Sequence, residues 1–402
     1  MKFSVVSHLS VLRRRWWTTV ISMLLITLAI VISSPVRTVK GLLVDTGVAP
    51  FGSNNYLSMD AGRIVYVAGI APSSAIGVYD INSGSSTTFS TANSSLTALP
   101  PSISGDKIVS PLSPLINTTV TLYFCTLPHA SPIQSCGPWT AIVTGLPSIS
   151  FLISFASFPK VSGDLVVWAN TGGFSFYRFS TGTVTAVSTP TQPHGLTTNG
   201  AVISFSAKPT STSSSETIRY YDASLPPASR TVVDTGLSGY YPSITQYTIV
   251  FNDNSTTSER LRYYDILNQA SGAGPVGAIS YTSGPSVWGN RIIFTTDEVS
   301  DNFDCNGDGT KSSSEFCLGY WNIRGPSWIA TTLSASAAPS IKANPDNPVI
   351  WDNIIAFIGS NGNIQYVKVP MQGDVNQDGI VNNTDRTTVT NCLNQVLKGS
   401  VC

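Results

Sequence analysis

The 402-residue chain reads as all-β, a seven-bladed β-propeller, on three observations. Charged residues are only 11% and hydrophobic ones 42%, well below the quarter or so of charge in an ordinary domain. Ser, Thr, Gly, Pro and Asn take the place of charge, and they favour turns and short strands over long helices. A self-similar unit recurs along residues 56–370, its starts 36 to 58 residues apart, near the length of a propeller blade. Finally, a strand-like segment before the first unit supplies what the last unit lacks. Composition excludes a helical bundle. The 22 basic against 22 acidic residues leave no surplus for nucleic acid, and 10% aromatics exclude disorder.

The N-terminus comes first. Residues 16–32 carry no charge and follow Arg13, Arg14 and Arg15, the layout of an export signal. The run also reaches the shortest length that spans a bilayer, and the arginines would hold its start in the cytoplasm. Residues 1–34 are therefore a cleaved signal peptide or a retained membrane anchor. The four basic residues of this segment, Lys2 and the three arginines, leave a body of net charge −4. Six cysteines follow in three close pairs, Cys125 with Cys136, Cys305 with Cys317, and Cys392 with Cys402. Fifteen connectivities are open. With three histidines and no Cys-x-x-Cys, local disulfides in an oxidising compartment fit better than zinc. The expected location is extracellular or at the cell surface.

Each repeat unit opens on a small or Pro-Ser lead and an apolar residue, and a β-rich run begins about five residues later. The copies are Leu57-Ser58-Met59 with Ile64-Val65-Tyr66, Pro101-Ser102-Ile103 with Ile108-Val109, and Pro159-Lys160-Val161 with Val166-Val167-Trp168. Gly195-Leu196-Thr197 precedes Val202-Ile203-Ser204, Pro242-Ser243-Ile244 precedes Ile249-Val250-Phe251, and Pro285-Ser286-Val287 precedes Ile292-Ile293-Phe294. The seventh lead is read as Pro339-Ser340-Ile341 before Ile354-Ile355-Ala356, with an insertion around Pro345 to Pro348. A later strand in each unit ends in an aromatic and a turn, as at Tyr79-Asp80, Tyr177-Arg178, Tyr221-Asp222, Tyr264-Asp265 and Trp321-Asn322. These aspartates suit turn capping.

Leu43-Val44-Asp45-Thr46-Gly47 matches Val232-Val233-Asp234-Thr235-Gly236, the outer strand of the fourth unit. The first segment has no blade before it, and the seventh unit stops at its third strand, Ile364 to Val369. The N-terminal strand therefore closes the last blade, giving seven blades over residues 41–370 and no open edge. A six-bladed ring, with one unit mis-split, is the rival.

At these residues the chain resembles the TolB-type and quinoprotein-type β-propellers. The resemblance implies the fold and says almost nothing about function.

Two segments fit the EF-hand calcium loop. Residues 304–315 place Asp304, Asn306, Asp308 and Glu315 as side-chain ligands, Thr310 through its carbonyl, Ser312 directly or through water, and Gly309 at the sharp turn. Residues 374–385 place Asp374, Asn376, Asp378, Asn382 and Asp385, with Ile380 through its carbonyl and Gly379 at the turn. Hard oxygen donors at this density select Ca²⁺, so two calcium sites are expected. A helix with Val389, Leu393, Val396 and Leu397 on one face should follow the second loop. Residues 371–402 form a separate tail, in which 373–397 resemble one half of a dockerin and imply a cohesin-like partner. Dockerins carry two such halves and this sequence shows one.

No catalytic site is expected. His129 and His194 are the histidines beyond the signal, glutamate is limited to Glu216, Glu259, Glu298 and Glu315, and no nucleophile elbow or phosphate loop is present. The reading is a calcium-stabilised extracytoplasmic propeller that binds or scaffolds a protein or a glycan at the cell surface. The alternative is a secreted lyase or glycosidase docked through its tail. That alternative requires two of Asp60, Asp106, Asp164 and Asp352 to converge with Arg or Tyr at the channel. A surface-layer component is the third reading.

Overall fold

The computed structural model describes residues 39–51, 56–69, 75–90, 96–114, 119–128, 133, 135–147, 158–253, 260–276, 284–297, 310, 316–323, 331–335, 348–359, 361–369 and 387. They form seven antiparallel blades. Strand β1 (Val39–Asp45) precedes blade 1, which is β2–β5 (Ser58–Asp60, Arg63–Ala68, Ala75–Asp80, Ser85–Phe89). Blade 2 is β6–β10 (Leu96–Ala98, Ser102–Ser104, Lys107–Pro114, Thr119–Thr126, Thr140–Pro147), where β6 and β7 both pair with β8. Blade 3 is β11–β14 (Lys160–Ser162, Leu165–Asn170, Gly173–Arg178, Thr183–Ser188). Blade 4 is β15–β18 (His194–Thr198, Val202–Ala207, Thr217–Asp222, Val232–Ser238), and blade 5 is β19–β22 (Tyr240–Thr245, Thr248–Asp253, Arg260–Asp265, Ala270–Val276). Blade 6 is β23–β26 (Ser286–Trp288, Arg291–Asp297, Phe316–Asn322, Thr331–Ala335), and blade 7 contains β27–β29 (Val349–Trp351, Ile354–Ile358, Ile364–Lys368). The innermost strands β2, β7, β11, β15, β19, β23 and β27 touch in a closed cycle, with β27 returning to β2. The ring is seven-bladed, and the six-bladed rival falls.

One hairpin rule builds every blade. The inner strand pairs with the next strand at an offset of five residues: Met59 with Ile64, Ile103 with Ile108, Val161 with Val166, Thr198 with Ile203, Ile244 with Ile249, Val287 with Ile292, and Ile350 with Ile355. The turn between them needs positive φ, found at Gly105, Gly163, Gly200 and Gly289, and at Ala61, Gln246 and Asp352, as expected for mirror-image hairpin turns. This register corrects the reading of two units. The seventh lead is Pro348-Val349-Ile350, not Pro339-Ser340-Ile341, so the turn holds no insertion. In the fourth unit Thr198, not Leu196, takes the paired position because a bulge between His194 and Thr197 adds residues.

Each blade buries both of its faces, one against each neighbour, and seven apolar cores result. Ile64 packs toward blade 7 with Ile354 and Tyr366, while the adjacent Val65 packs toward blade 2 with Ile103 and Leu112. Val109 and Val166 meet between blades 2 and 3, Val167 and Phe205 between 3 and 4, and Val202 and Phe251 between 4 and 5. Val250 joins Ile292 across the next interface, and Ile293 joins Phe357 across the last. This two-sided burial explains the doubled apolar residues of the repeat, since successive side chains of a strand point to opposite faces.

The N-terminal strand closes the ring. Leu42, Leu43, Val44 and Asp45 pair antiparallel with Lys368, Val367, Tyr366 and Gln365, and the start of β1 lies parallel to β26 through Val39 to Gly41. Its match with blade 4 extends to individual bonds. Asp45 Oδ1 accepts Gly47 N–H at 2.8 Å and Asp234 Oδ1 accepts Gly236 N–H at 2.9 Å. Thr46 Oγ1 donates to Ile364 O at 2.7 Å and Thr235 Oγ1 to Ile218 O at 2.8 Å. Asp45 also accepts the side-chain amides of Asn361 (2.6 Å), Asn363 (3.1 Å) and Gln365 (3.3 Å), where Asp234 accepts Arg219 Nη2 (2.8 Å) and Thr217 Oγ1 (3.0 Å). The Gly47 amide, helped by the side-chain amides, holds the Asp45 carboxyl below the usual range.

Cys125 and Cys136 are joined by a disulfide with Cα atoms 5.9 Å apart. The other two cysteine pairs, residues 16–32 and the expected C-terminal helix lie outside the described side chains. Among the described residues no helix is long and apolar enough to cross a membrane.

Candidate functional site

The inner strands enclose a central channel, a cavity of 430 Å³ lined from all seven blades. That is a ligand-sized volume. Alternation along each inner strand decides what faces it. The residue that keeps the five-residue register is packed between blades, so its two neighbours form two tiers around the channel.

The first tier is Ser58, Ser102, Lys160, Thr197, Ser243, Ser286 and Val349. Three of its serines are structural as well as polar. Ser58 Oγ accepts the N–H of Ile103 in the next blade at 3.1 Å, Ser102 Oγ that of Val161 at 3.1 Å, and Ser286 Oγ that of Ile350 at 3.2 Å. Three of the tier's serines thus staple their blade to the next. Lys160, a half-buried residue, breaks the pattern. Burial lowers its pKa from the ordinary lysine value.

The second tier is Asp60, Ser104, Ser162, Asn199, Thr245, Trp288 and Trp351. Asp60 Oδ2 accepts Gly105 N–H at 2.6 Å, Ser104 Oγ accepts Gly163 N–H at 3.0 Å, and Thr245 Oγ1 accepts Gly289 N–H at 3.1 Å. Asn199 donates through Nδ2 to Gln246 O of blade 5. Two tryptophans from adjacent blades complete the tier. Trp288 is 38% exposed, an unusual state for so large an apolar group. Arg291 lies 6.0 Å from its ring centroid and donates to Asp352 O at 2.8 Å, fixing the Trp351–Asp352 turn beside it.

A second polar cluster lies at the start of β15. His194 Nδ1 is 2.6 Å from Glu216 Oε1, and Ser206 Oγ donates to Glu216 Oε2 at 2.6 Å. The bond to Glu216 raises the histidine pKa. Burial opposes ionisation of Glu216, but the bonds from His194 and Ser206 outweigh it and the carboxyl sits below its usual value. Tyr241, at φ 51°, packs nearby with its hydroxyl pushed up by burial and by Glu216.

Of the four aspartates named from the sequence, Asp60 alone lines the channel. Asp106 pairs with Lys107 at 3.1 Å, and Asp352 faces Arg291 at 3.8 Å. Asp164 accepts Ser180 N–H at 2.7 Å, doing for blade 3 what Asp80 does for blade 1, where it accepts Asn82 N–H at 2.9 Å. Blade 3 has Arg178 where blade 1 has Asp80, so the cap comes from the neighbouring turn. Asp222 and Asp265 cap their turns in the same way.

Both calcium loops lie outside the described residues, apart from the exposed Thr310. Among the described residues no group of three or more His, Cys, Asp or Glu is placed to hold a metal. His129, Glu259, Glu298 and Glu315 are also outside. Sequence reasoning missed Trp288, Trp351 and Lys160 as channel residues. Aligning the units on the five-residue register exposes them, but the misread seventh lead concealed Trp351.

No protein-family model matches the chain, and no curated protein sequence matches it. Among solved structures, the β-propeller domain of the Trilobed protease from Pyrococcus furiosus is similar at 10% identity and TM-score 0.49, over 79% of this chain and 91% of that one. The WD40 domain of coronin from Toxoplasma gondii is similar at 10% identity and TM-score 0.47, over 84% and 92%. TolB from Acinetobacter baumannii is similar at 14% identity and TM-score 0.37, over 76% and 78%. These neighbours share the propeller architecture, which the seven blades of this chain establish independently.

Proposed function

We propose that the protein is an exported, calcium-stabilised binding propeller whose ligand is a glycan held in the central channel. The paired tryptophans carry this reading. Trp288 and Trp351 occupy one register position in adjacent blades, and the same position elsewhere holds Asp, Ser, Asn or Thr. Sugars present apolar C–H faces and a rim of hydroxyls, so an aromatic platform opposite an arc of short polar side chains is a fitting host. A glycosidase needs two carboxylates across the sugar, and the channel position of Asp60 without Asp106, Asp164 or Asp352 favours binding. The dockerin-like tail would attach the propeller to a surface partner, and the two calcium loops would brace blade 6 and the tail.

A glycan array probed with the full chain and with the Trp288→Ala/Trp351→Ala double variant tests the channel. Binding by the parent and its loss in the variant is the expected result. Equal binding by both would overturn the assignment. For calcium, chelation should lower the melting temperature by several degrees; an unchanged melting curve would remove the ion from the account.

A further inference from the structure

We propose that the glycan is an anionic one and that Lys160 is the residue that reads its charge, a carboxylate or a sulfate ester. This rests on the channel being a glycan site. At the register position of Lys160 the other blades carry Ser58, Ser102, Thr197, Ser243, Ser286 and Val349. Three of those serines staple their blade to the next. A lysine has no acceptor for that bond, so blade 3 gives up the staple and gains a cation in the channel.

That cation has no built-in partner among the described residues. Among the described residues no carboxylate is paired with Lys160 and no acceptor bonds it. Asp60, the other charged residue lining the channel among the described residues, is engaged through Oδ1 by Ala61 N–H at 2.9 Å and through Oδ2 by Gly105 N–H at 2.6 Å. Burying an ammonium without a counter-ion is unfavourable, which agrees with its lowered pKa. An anionic ligand supplies the missing charge.

The hydroxyls in the same tier assist. Ser58, Ser102 and Ser286 use oxygen lone pairs to accept backbone N–H groups, which leaves each O–H as a donor. One ammonium and several hydroxyl donors facing one cavity suit a singly charged oxyanion carried on a sugar. Charge-assisted bonds of this kind are about twice as strong as neutral ones.

The test titrates the full chain, by calorimetry, with a tetragalacturonate, its methyl ester and a sulfated galactan tetrasaccharide. At least one acidic probe should bind about tenfold or more tighter than the ester, and which one does so identifies the anion. Lys160→Met should bring the acidic probe down to the ester, while Lys160→Arg keeps the preference. The Trp288→Ala/Trp351→Ala variant should weaken charged and uncharged probes alike. Melting curves of all variants establish that they fold. Equal binding of ester and acids by the parent, or a preference that survives Lys160→Met, overturns the inference and leaves the channel as a neutral-glycan site. No binding of any of the three overturns the anion assignment; if the array is blank as well, the glycan reading falls with it.

Discussion

The second channel tier divides into two arcs that share one backbone plan and differ in chemistry. In blades 1, 2 and 5 the residue after the register position is Asp60, Ser104 or Thr245, and each accepts a turn N–H from the next blade. In blades 6 and 7 it is Trp288 or Trp351, which offer no acceptor. The stapled arc is explained by the stability of the ring. The tryptophan arc is not, because Trp288 stands exposed over Arg291 and its own seam is held from elsewhere. Blade 6 reaches blade 7 through Arg291 and Asp352 on the inside and through β1 between β26 and β29 on the outside. Residues that the fold requires and residues that it merely tolerates are thus separated around one ring, and function is sought among the latter.

The sharpest way to break this comparison is to remove the outer latch. A chain beginning after residue 47 lacks β1, so blade 7 loses its outer strand and the tryptophan arc loses its external support. It should melt ten or more degrees below a chain beginning at residue 35, with a less cooperative transition. Equal melting temperatures would show that the inner contacts alone hold the seam.

A smaller effect separates the arcs directly. Ser102→Ala leaves the Val161 N–H without its acceptor in a buried setting, at a cost of about 1–3 kcal/mol. Trp288→Ala removes an exposed side chain and should change stability by under about 0.5 kcal/mol. Denaturant unfolding of both variants checks the order, and a reversal would mean that Trp288 is a structural residue.

The smallest effect concerns pH at the His194–Glu216 pair on blade 4, whose Asn199 donates to Gln246 O of blade 5. The histidine pKa is raised, so its contribution is complete below the unfolded value of 6.5 and is lost as pH rises through the folded one. The glutamate pKa is lowered, so its contribution is complete above 4.5 and is lost as pH falls through the folded value. The pair should therefore stabilise most between these limits. Since His194 is partly exposed and screened, Glu216→Gln should lower the melting temperature there by roughly 1–2 °C and less at pH 9. A pH-independent difference would assign the effect to packing.

Much of the fold was legible because it repeats. Ile64-Val65, Ile108-Val109 and Ile249-Val250 each serve two interfaces at once, so one doublet signals a strand buried on both faces. The closure was legible because Val44-Asp45-Thr46-Gly47 and Val233-Asp234-Thr235-Gly236 bond alike, and a local sequence match carries a local bonding pattern. The seventh lead was misread because Pro339-Ser340-Ile341 imitates the motif, while the true lead, Pro348-Val349-Ile350, lacks its serine. The channel residues were harder to find because Lys160, Trp288 and Trp351 are far apart in the chain and unremarked in composition.

The sequence by itself determined the all-β class, the repeating blade unit, the closing strand and the turn-capping role of Asp80, Asp222 and Asp265, while the inner-strand contacts decided seven blades over six. The features read from sequence follow from local periodicity and short-range bonding, which neighbouring residues encode directly. Only the tertiary structure decided that three serines of the repeat join blades, that Asp164 substitutes for a missing cap, and that two tryptophans and one uncompensated lysine share a cavity. Those are relations between residues on different strands and blades, set by the curvature with which twisted sheets pack around an axis. No window along the chain contains them.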